Sequence, residues 1–168
     1  MNIAVFSSSP LTLPLLEKLN TDFSVKLVVT SPDKPVGRKQ ALTPSPLKIW
    51  AEKKDIACLT PTSLTKNFRA TDVEVGEFSR SRFLTPQKIS YQQDGWQDPK
   101  IMVAEIIKEL KIDLAIVIDY GLLIPKVVYS APKLQTINIH FSLLPKFRGP
   151  YPSAFVILNG EKKTGISF

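Results

Sequence analysis

The chain is poor in the residues that cross-link proteins or bind metals. Its 168 residues include one cysteine and one histidine. Cys58 has no partner for an internal disulfide and is most simply a small core residue, and the usual metal-ligand spacings have too few ligands to form, so no metal is expected. No apolar run approaches the ~20 residues that cross a bilayer, which argues against a membrane partner. The opening Met1–Phe6 enters a strand-like pattern at once, without a charged leader or an arginine-rich transit segment, so a cytoplasmic location is expected. What the chain does contain, 43% hydrophobic and 22% charged residues, is the balance of a globular domain. Its length fits one domain, expected to act as a monomer.

Charge is unevenly placed. The net charge is +7, and two stretches supply more than all of it. Between Ser31 and Lys54, six basic residues (Lys34, Arg38, Lys39, Lys48, Lys53, Lys54) face Asp33 and Glu52; from Gly121 onward, Lys126, Lys133, Lys146, Arg148, Lys162 and Lys163 face Glu161 alone. A polyanion such as RNA or a nucleotide phosphate suits that distribution, and so does plain solubilisation by lysine.

Apolar runs alternate with amphipathic segments along the chain. Asn2–Phe6 reads as a strand, Ser7–Pro10 as a turn and Leu11–Leu19 as a helix, with Val25–Thr30 as the next strand. Three serines without Gly-x-Gly are a weak nucleotide signal. The proline-rich stretch from Ser31 to Pro46 excludes a long helix or a central strand, and leaves Lys34, Arg38 and Lys39 on a stiffened ribbon. Pro46–Lys54 follows as a helix capped by Ser45, then Ile56–Leu59 as a short strand. The polar segment over residues 62–98 is the least legible part of the chain, and a small hairpin is expected in it around Phe83 and Ile89–Tyr91. Lys100–Leu110 carries Val103, Ile106, Ile107 and Leu110 on one helical stripe, and Asp113–Ile118 is a continuous apolar strand. The pattern predicts an α/β fold, a Rossmann-like open and mostly parallel sheet with helices on both faces, over residues 1–168. The last elements are a helix over Ser153–Leu158, capped at Asn159-Gly160, and a strand beginning at Thr164–Phe168, so the sheet is expected to be incomplete at its C-terminus.

The richest chemistry follows the strand Leu134–Ile139, in the string Asn138-Ile-His140-Phe-Ser142-Leu143-Leu144-Pro145-Lys-Phe-Arg148-Gly149-Pro150. Asn138 and His140 stand two apart and project from one face of a pleat. An amide donor and a proton carrier are the minimum equipment for acyl transfer through a tetrahedral intermediate. An ordinary hydrogen-bonded pair is the plainer reading of the same two residues. In an open α/β sheet ligands lie outside the C-terminal strand edge, which places Tyr120 and Gly121 beside the same cleft.

Asn-x-His-x-Ser-Leu-Leu-Pro-x-x-Arg-Gly resembles the signature of the folate-dependent formyltransferases. The resemblance implies that Asn138 and His140 are catalytic and that 10-formyltetrahydrofolate is the co-substrate. It places Tyr120, Gly121, Ser142, Leu143, Leu144, Pro145, Arg148 and Gly149 around the folate and the amine. Pro32-Asp-Lys-Pro-x-Gly-Arg38 with Leu42-Thr-Pro-Ser-Pro46 is similar to the loop by which members acting on methionyl-tRNA enter the acceptor arm of the initiator tRNA, with Arg38 a key contact beside Lys34 and Lys39. Ser7-Ser-Ser-Pro-Leu11 departs from the family's Gly-Thr-Pro-x-Phe. The family's catalytic Asp and its C-terminal RNA-binding domain lie beyond Phe168, and the family has a shorter connection at residues 62–98, so the resemblance implies a truncated domain with an insertion there. Asp119 is a candidate substitute for that Asp, or simply a solvated strand end. Another formyltransferase acting on an amino sugar nucleotide, or a non-catalytic RNA-binding fragment, are the rival expectations.

Overall fold

A computed structural model describes the backbone of residues 1–65, 68–69, 73–75, 96–97 and 99–168, with side chains over 1–65 and 100–168. The backbone opens with β1 (Asn2–Phe6), a single 3-10 turn (Pro10–Thr12) and α1 (Leu13–Asp22), then β2 (Ser24–Val29). The helix starts later than the leucine spacing predicts, because Pro10 and Pro14 favour the first turns of helices; Leu11 is left in the 3-10 turn and exposed. A short hairpin follows, β3 (Lys34–Val36) against β4 (Ala41–Thr43), and then α2 (Pro46–Lys53) and β5 (Ala57–Pro61). β6 (Phe68–Arg69), β7 (Val73–Val75) and β8 (Trp96–Gln97) are short, and β6 pairs with β8. The chain continues through α3 (Pro99–Glu109), β9 (Leu114–Ile118), α4 (Lys126–Tyr129), β10 (Thr136–Ile139) and α5 (Pro152–Leu158). The hairpin expected around Phe83 and Ile89–Tyr91 lies outside the described residues.

The main sheet has the order β10-β9-β1-β2-β5-β7. Five strands are parallel, and β7 runs antiparallel to β5 at one edge. The chain winds from β1 through β2 to β5 in one direction, then returns to the other side of β1 for β9 and β10. That reversal is what gives such sheets a ligand crevice at their C-terminal edge.

Alternation along β1 divides the core in two. Ile3 and Val5 point to one face with Leu16, Val28, Leu47, Trp50 and Cys58, from the side of α1 and α2. Ala4 and Phe6 point to the other with Val103, Ile106 and Ile107 of α3. Leu110 packs against that second cluster, so the predicted stripe is the buried face of α3. The two helices on the first face are tied by Glu17, which accepts from the Trp50 indole at 2.7 Å and pairs with Lys54 at 3.1 Å. The indole bond, more than the lysine, holds the Glu17 carboxyl below its usual range. Ser45 caps α2 as expected, its hydroxyl accepting from Lys48 N at 3.1 Å. The final stretch forms a single antiparallel bridge, Ser167 opposite His140.

Candidate functional site

The turn after β1 is filled by its own hydroxyls. Thr12 Oγ1 donates to the Ser9 carbonyl at 2.7 Å, so the proton between Ser7 Oγ and Thr12 Oγ1 comes from Ser7, which in turn accepts from Ser9 N. Ser8 N donates to the Asp119 carbonyl at 3.0 Å and closes the gap between β1 and β9. An open volume sits one strand further along, outside the C-terminal ends of β9 and β10.

There a cleft of about 600 Å³ is lined by residues of both strand ends and of the loops that follow. Ile118 lies opposite Ile139 in the ladder, so the chain leaves the two strands side by side, through Asp119-Tyr120-Gly121 and through His140-Phe141. Asn138, His140, Tyr120, Gly121 and Gly149 all line the cleft, with Asp119 and the apolar Leu122, Leu123 and Ile124. Asp119 turns at φ +48, a left-handed conformation that aspartate tolerates better than most residues. It shares the cleft with His140, and no hydrogen bond or ion pair among the described residues joins them. In this arrangement Asp119 is a strand-end carboxylate on the cleft wall.

His140 is fixed by a contact that its sequence neighbours do not announce. Its Nε2 lies 3.1 Å from the Phe147 carbonyl. A carbonyl only accepts, so this bond puts a proton on Nε2 and leaves Nδ1 as the basic nitrogen of the neutral ring. The backbone of His140 exchanges two 2.9 Å hydrogen bonds with Ser167. Ser167 Oγ donates to the Ser142 carbonyl at 2.8 Å and accepts from Leu144 N at 3.1 Å, clasping the loop that follows the histidine. Ser142 is buried, and its hydroxyl donates to the Lys146 carbonyl at 2.8 Å. The loop contains a cis Leu144–Pro145 peptide and positive φ at Phe147 and Gly149.

The residues expected around the ligands thus divide. Gly149 reaches the cleft, as do Tyr120 and Gly121, whereas Ser142, Leu143, Leu144, Pro145 and Arg148 are not among its lining residues. Ser142 is turned inward to bond the loop's own backbone; Leu143, Leu144, Pro145 and Arg148 are exposed on the loop. Lining residues that motif reasoning passed over include Thr136 and Tyr129, joined by a 2.7 Å bond from Thr136 Oγ1 to the Tyr129 carbonyl. Burial pushes the Tyr120 hydroxyl well above the usual phenol range. Its ring stands edge-on to Phe6, with centroids 5.6 Å apart.

The basic ribbon is a hairpin rather than an irregular loop. Pro35 pairs opposite Leu42 in a two-stranded ladder that stands apart from the main sheet, where proline is tolerated. Gly37 at φ +72 and Gln40 at φ +48 make the turn. Lys34, Arg38 and Lys39 are all exposed. Among the described residues no group of histidine, cysteine and carboxylate side chains could hold a metal ion, and no helix is long and apolar enough to cross a membrane.

A family model described as formyl transferase matches residues 1–168. The methionyl-tRNA formyltransferase of Geobacillus sp. (strain WCH70) is 34% identical over 165 residues, 97% of this chain and 41% of the relative. That of Enterococcus faecalis (strain ATCC 700802 / V583) is 34% identical over 169 residues, 99% of this chain and 43% of the relative. The chain thus spans less than half the length of these curated relatives. Among solved structures, phosphoribosylglycinamide formyltransferase from Bacillus halodurans superposes with a TM-score of 0.64 at 18% identity, over 99% of this chain and 69% of that one. Glycinamide ribonucleotide transformylase 1 from Geobacillus kaustophilus gives 0.60 at 18% identity, over 98% of this chain and 71% of that one. At such identity these structures establish the fold, which agrees with the parallel sheet expected from the strand pattern. With the family model matched along the whole chain and relatives a third identical across nearly all of it, this protein belongs to the formyl transferase family.

Proposed function

We propose that this chain transfers a formyl group from 10-formyltetrahydrofolate to the amino group of methionine carried on initiator tRNA. The observation that carries the reading is the convergence of Asn138 and His140 in one cleft at the C-terminal edge of parallel strands. In the step itself the methionyl nitrogen attacks the formyl carbon and a C–N bond forms. The bond from that carbon to N10 of the folate then breaks, and the proton lost by the amine ends on N10. The amide NH₂ of Asn138 donates to the oxyanion of the tetrahedral intermediate, and His140, basic at Nδ1, carries the proton. The apolar wall of Tyr120, Leu122, Leu123 and Ile124 suits a flat pterin. The exposed Lys34, Arg38 and Lys39 suit a tRNA backbone, and the names of the curated relatives favour methionyl-tRNA as acceptor.

A formylation assay with charged initiator tRNA and 10-formyltetrahydrofolate tests this directly. Formyl-methionyl-tRNA is expected from the wild-type chain, with turnover lowered by about 100-fold or more in His140→Ala. Turnover of an amino sugar nucleotide in place of tRNA would move the assignment to another acceptor. Tight tRNA binding without any formyl transfer would reduce the chain to a binding module.

A further inference from the structure

The hairpin β3–β4 presents both of its strands to solvent. All six strand residues are exposed. Its tip and side-chain hydrogen bonds, from Gln40 N and Nε2 to the Gly37 carbonyl and from Thr43 Oγ1 to that of Ala41, stay within the hairpin. Among the described residues, the side-chain bonds that tie it to the rest of the fold lie at its base. There Lys48 Nζ, reaching from α2, donates to both oxygens of Asp33 at 3.0 and 2.9 Å. The two side chains are only 12% and 21% exposed. Next to them the hydroxyls of Thr30, just past β2, and Ser45, the α2 cap, lie 3.3 Å apart. Asp33 immediately precedes Lys34, so a packed helix grips the residue from which the basic arm departs.

We infer that Asp33 and Lys48 are a positioning pair, holding the hairpin at the angle at which Lys34, Arg38 and Lys39 meet tRNA. The inference rests on the reading of this hairpin as the tRNA-binding arm. The pair itself is electrically neutral and largely withdrawn from solvent, so it adds little to the field a polyanion meets. What it supplies is direction: two bonds onto one carboxylate restrict swing about the base of the arm. An arm free to swing presents the competent arrangement only part of the time, and the apparent Kd rises by the inverse of that fraction.

The test uses the full chain with Asp33→Asn and Lys48→Met, which change net charge in opposite directions. Binding of charged initiator tRNA is measured alongside the initial rate of trypsin cleavage after Arg38 and Lys39 in RNA-free protein, mapped by mass spectrometry. Both variants are expected to bind tRNA more weakly, by about fivefold if the arm is competent a fifth of the time. Both should be cut faster in the hairpin while rates at other sites hold, the control for intact folding. The exchanged pair, Asp33→Lys with Lys48→Asp, should recover much of both properties. Affinity that follows net charge, tighter for Asp33→Asn and weaker for Lys48→Met, would overturn the inference, as would unchanged hairpin cleavage in both variants. If Arg38→Ala leaves tRNA affinity and its salt dependence untouched, the tRNA reading fails, and the cleavage rates still decide whether the pair fixes the arm.

Discussion

The hydroxyl of Tyr120 is buried with no hydrogen-bond partner among the described residues, while its ring is held edge-on by Phe6. The ring contributes packing, and the hydroxyl carries a desolvation penalty. Tyr120→Phe keeps the first and removes the second, so thermodynamic stability is expected to rise by about 1 kcal/mol. Urea unfolding at neutral pH measures it. A midpoint that fell instead would show the hydroxyl to be well paired in the native protein. His140 is the opposite case, a polar group whose bond to the Phe147 carbonyl selects its tautomer. The Asn138-x-His140 pair was legible in sequence because a strand's period of two is a local property. The Phe147 carbonyl and the Ser167 clasp were not, because both depend on how a loop and a distant segment fold back onto the strand end.

Among the elements, α2 shows how a few residues define a helix. Ser45 sits in extended conformation, accepts from Lys48 N, and hands over to Pro46 at the first helical position. Ser45→Ala removes the cap and the hydroxyl facing Thr30, and is expected to destabilise the chain by about 1 kcal/mol. Asp at the same position should restore most of the loss, and equal urea midpoints for wild type and Ser45→Ala would contradict the capping argument. This helix, β1, β9 and α3 could all be read in advance, since each carries its own cap or apolar period. The hairpin could not: prolines mark Ser31–Pro46 as irregular, while its pairing depends on a turn at Gly37–Gln40 and on a ladder away from the main sheet. Nor could α4, whose four residues are too few to display a helical period. The switch in winding direction, which puts β9 on the far side of β1, is a property of the whole sheet and leaves no mark in any one strand.

At the scale of the whole molecule, two buried groups, the Cys58 thiol and the Tyr120 phenol, make stability sensitive to alkali. Burial pushes the Cys58 thiol up to about 12, with the Glu52 carboxylate adding to the effect, and burial alone raises Tyr120 further. In both cases the folded state holds its proton more tightly than the unfolded chain does. Below the unfolded values, ~8.5 for a thiol and ~10 for a phenol, both states are protonated and the contribution is constant. As pH rises past each value the unfolded chain releases its proton first, so stability falls, by up to about 1.4 kcal/mol per pH unit for each group, until the folded group titrates as well. The urea midpoint is therefore expected to decline from about pH 8.5 and more steeply from about pH 10. Lysine titration overlaps the upper range, so the comparison between variants isolates the two groups. Cys58→Ala should remove the part of the slope that begins near pH 8.5, and Tyr120→Phe the part that begins near pH 10. Parallel pH profiles for wild type and both variants would place the alkaline loss elsewhere, in the lysines that give the chain its positive charge.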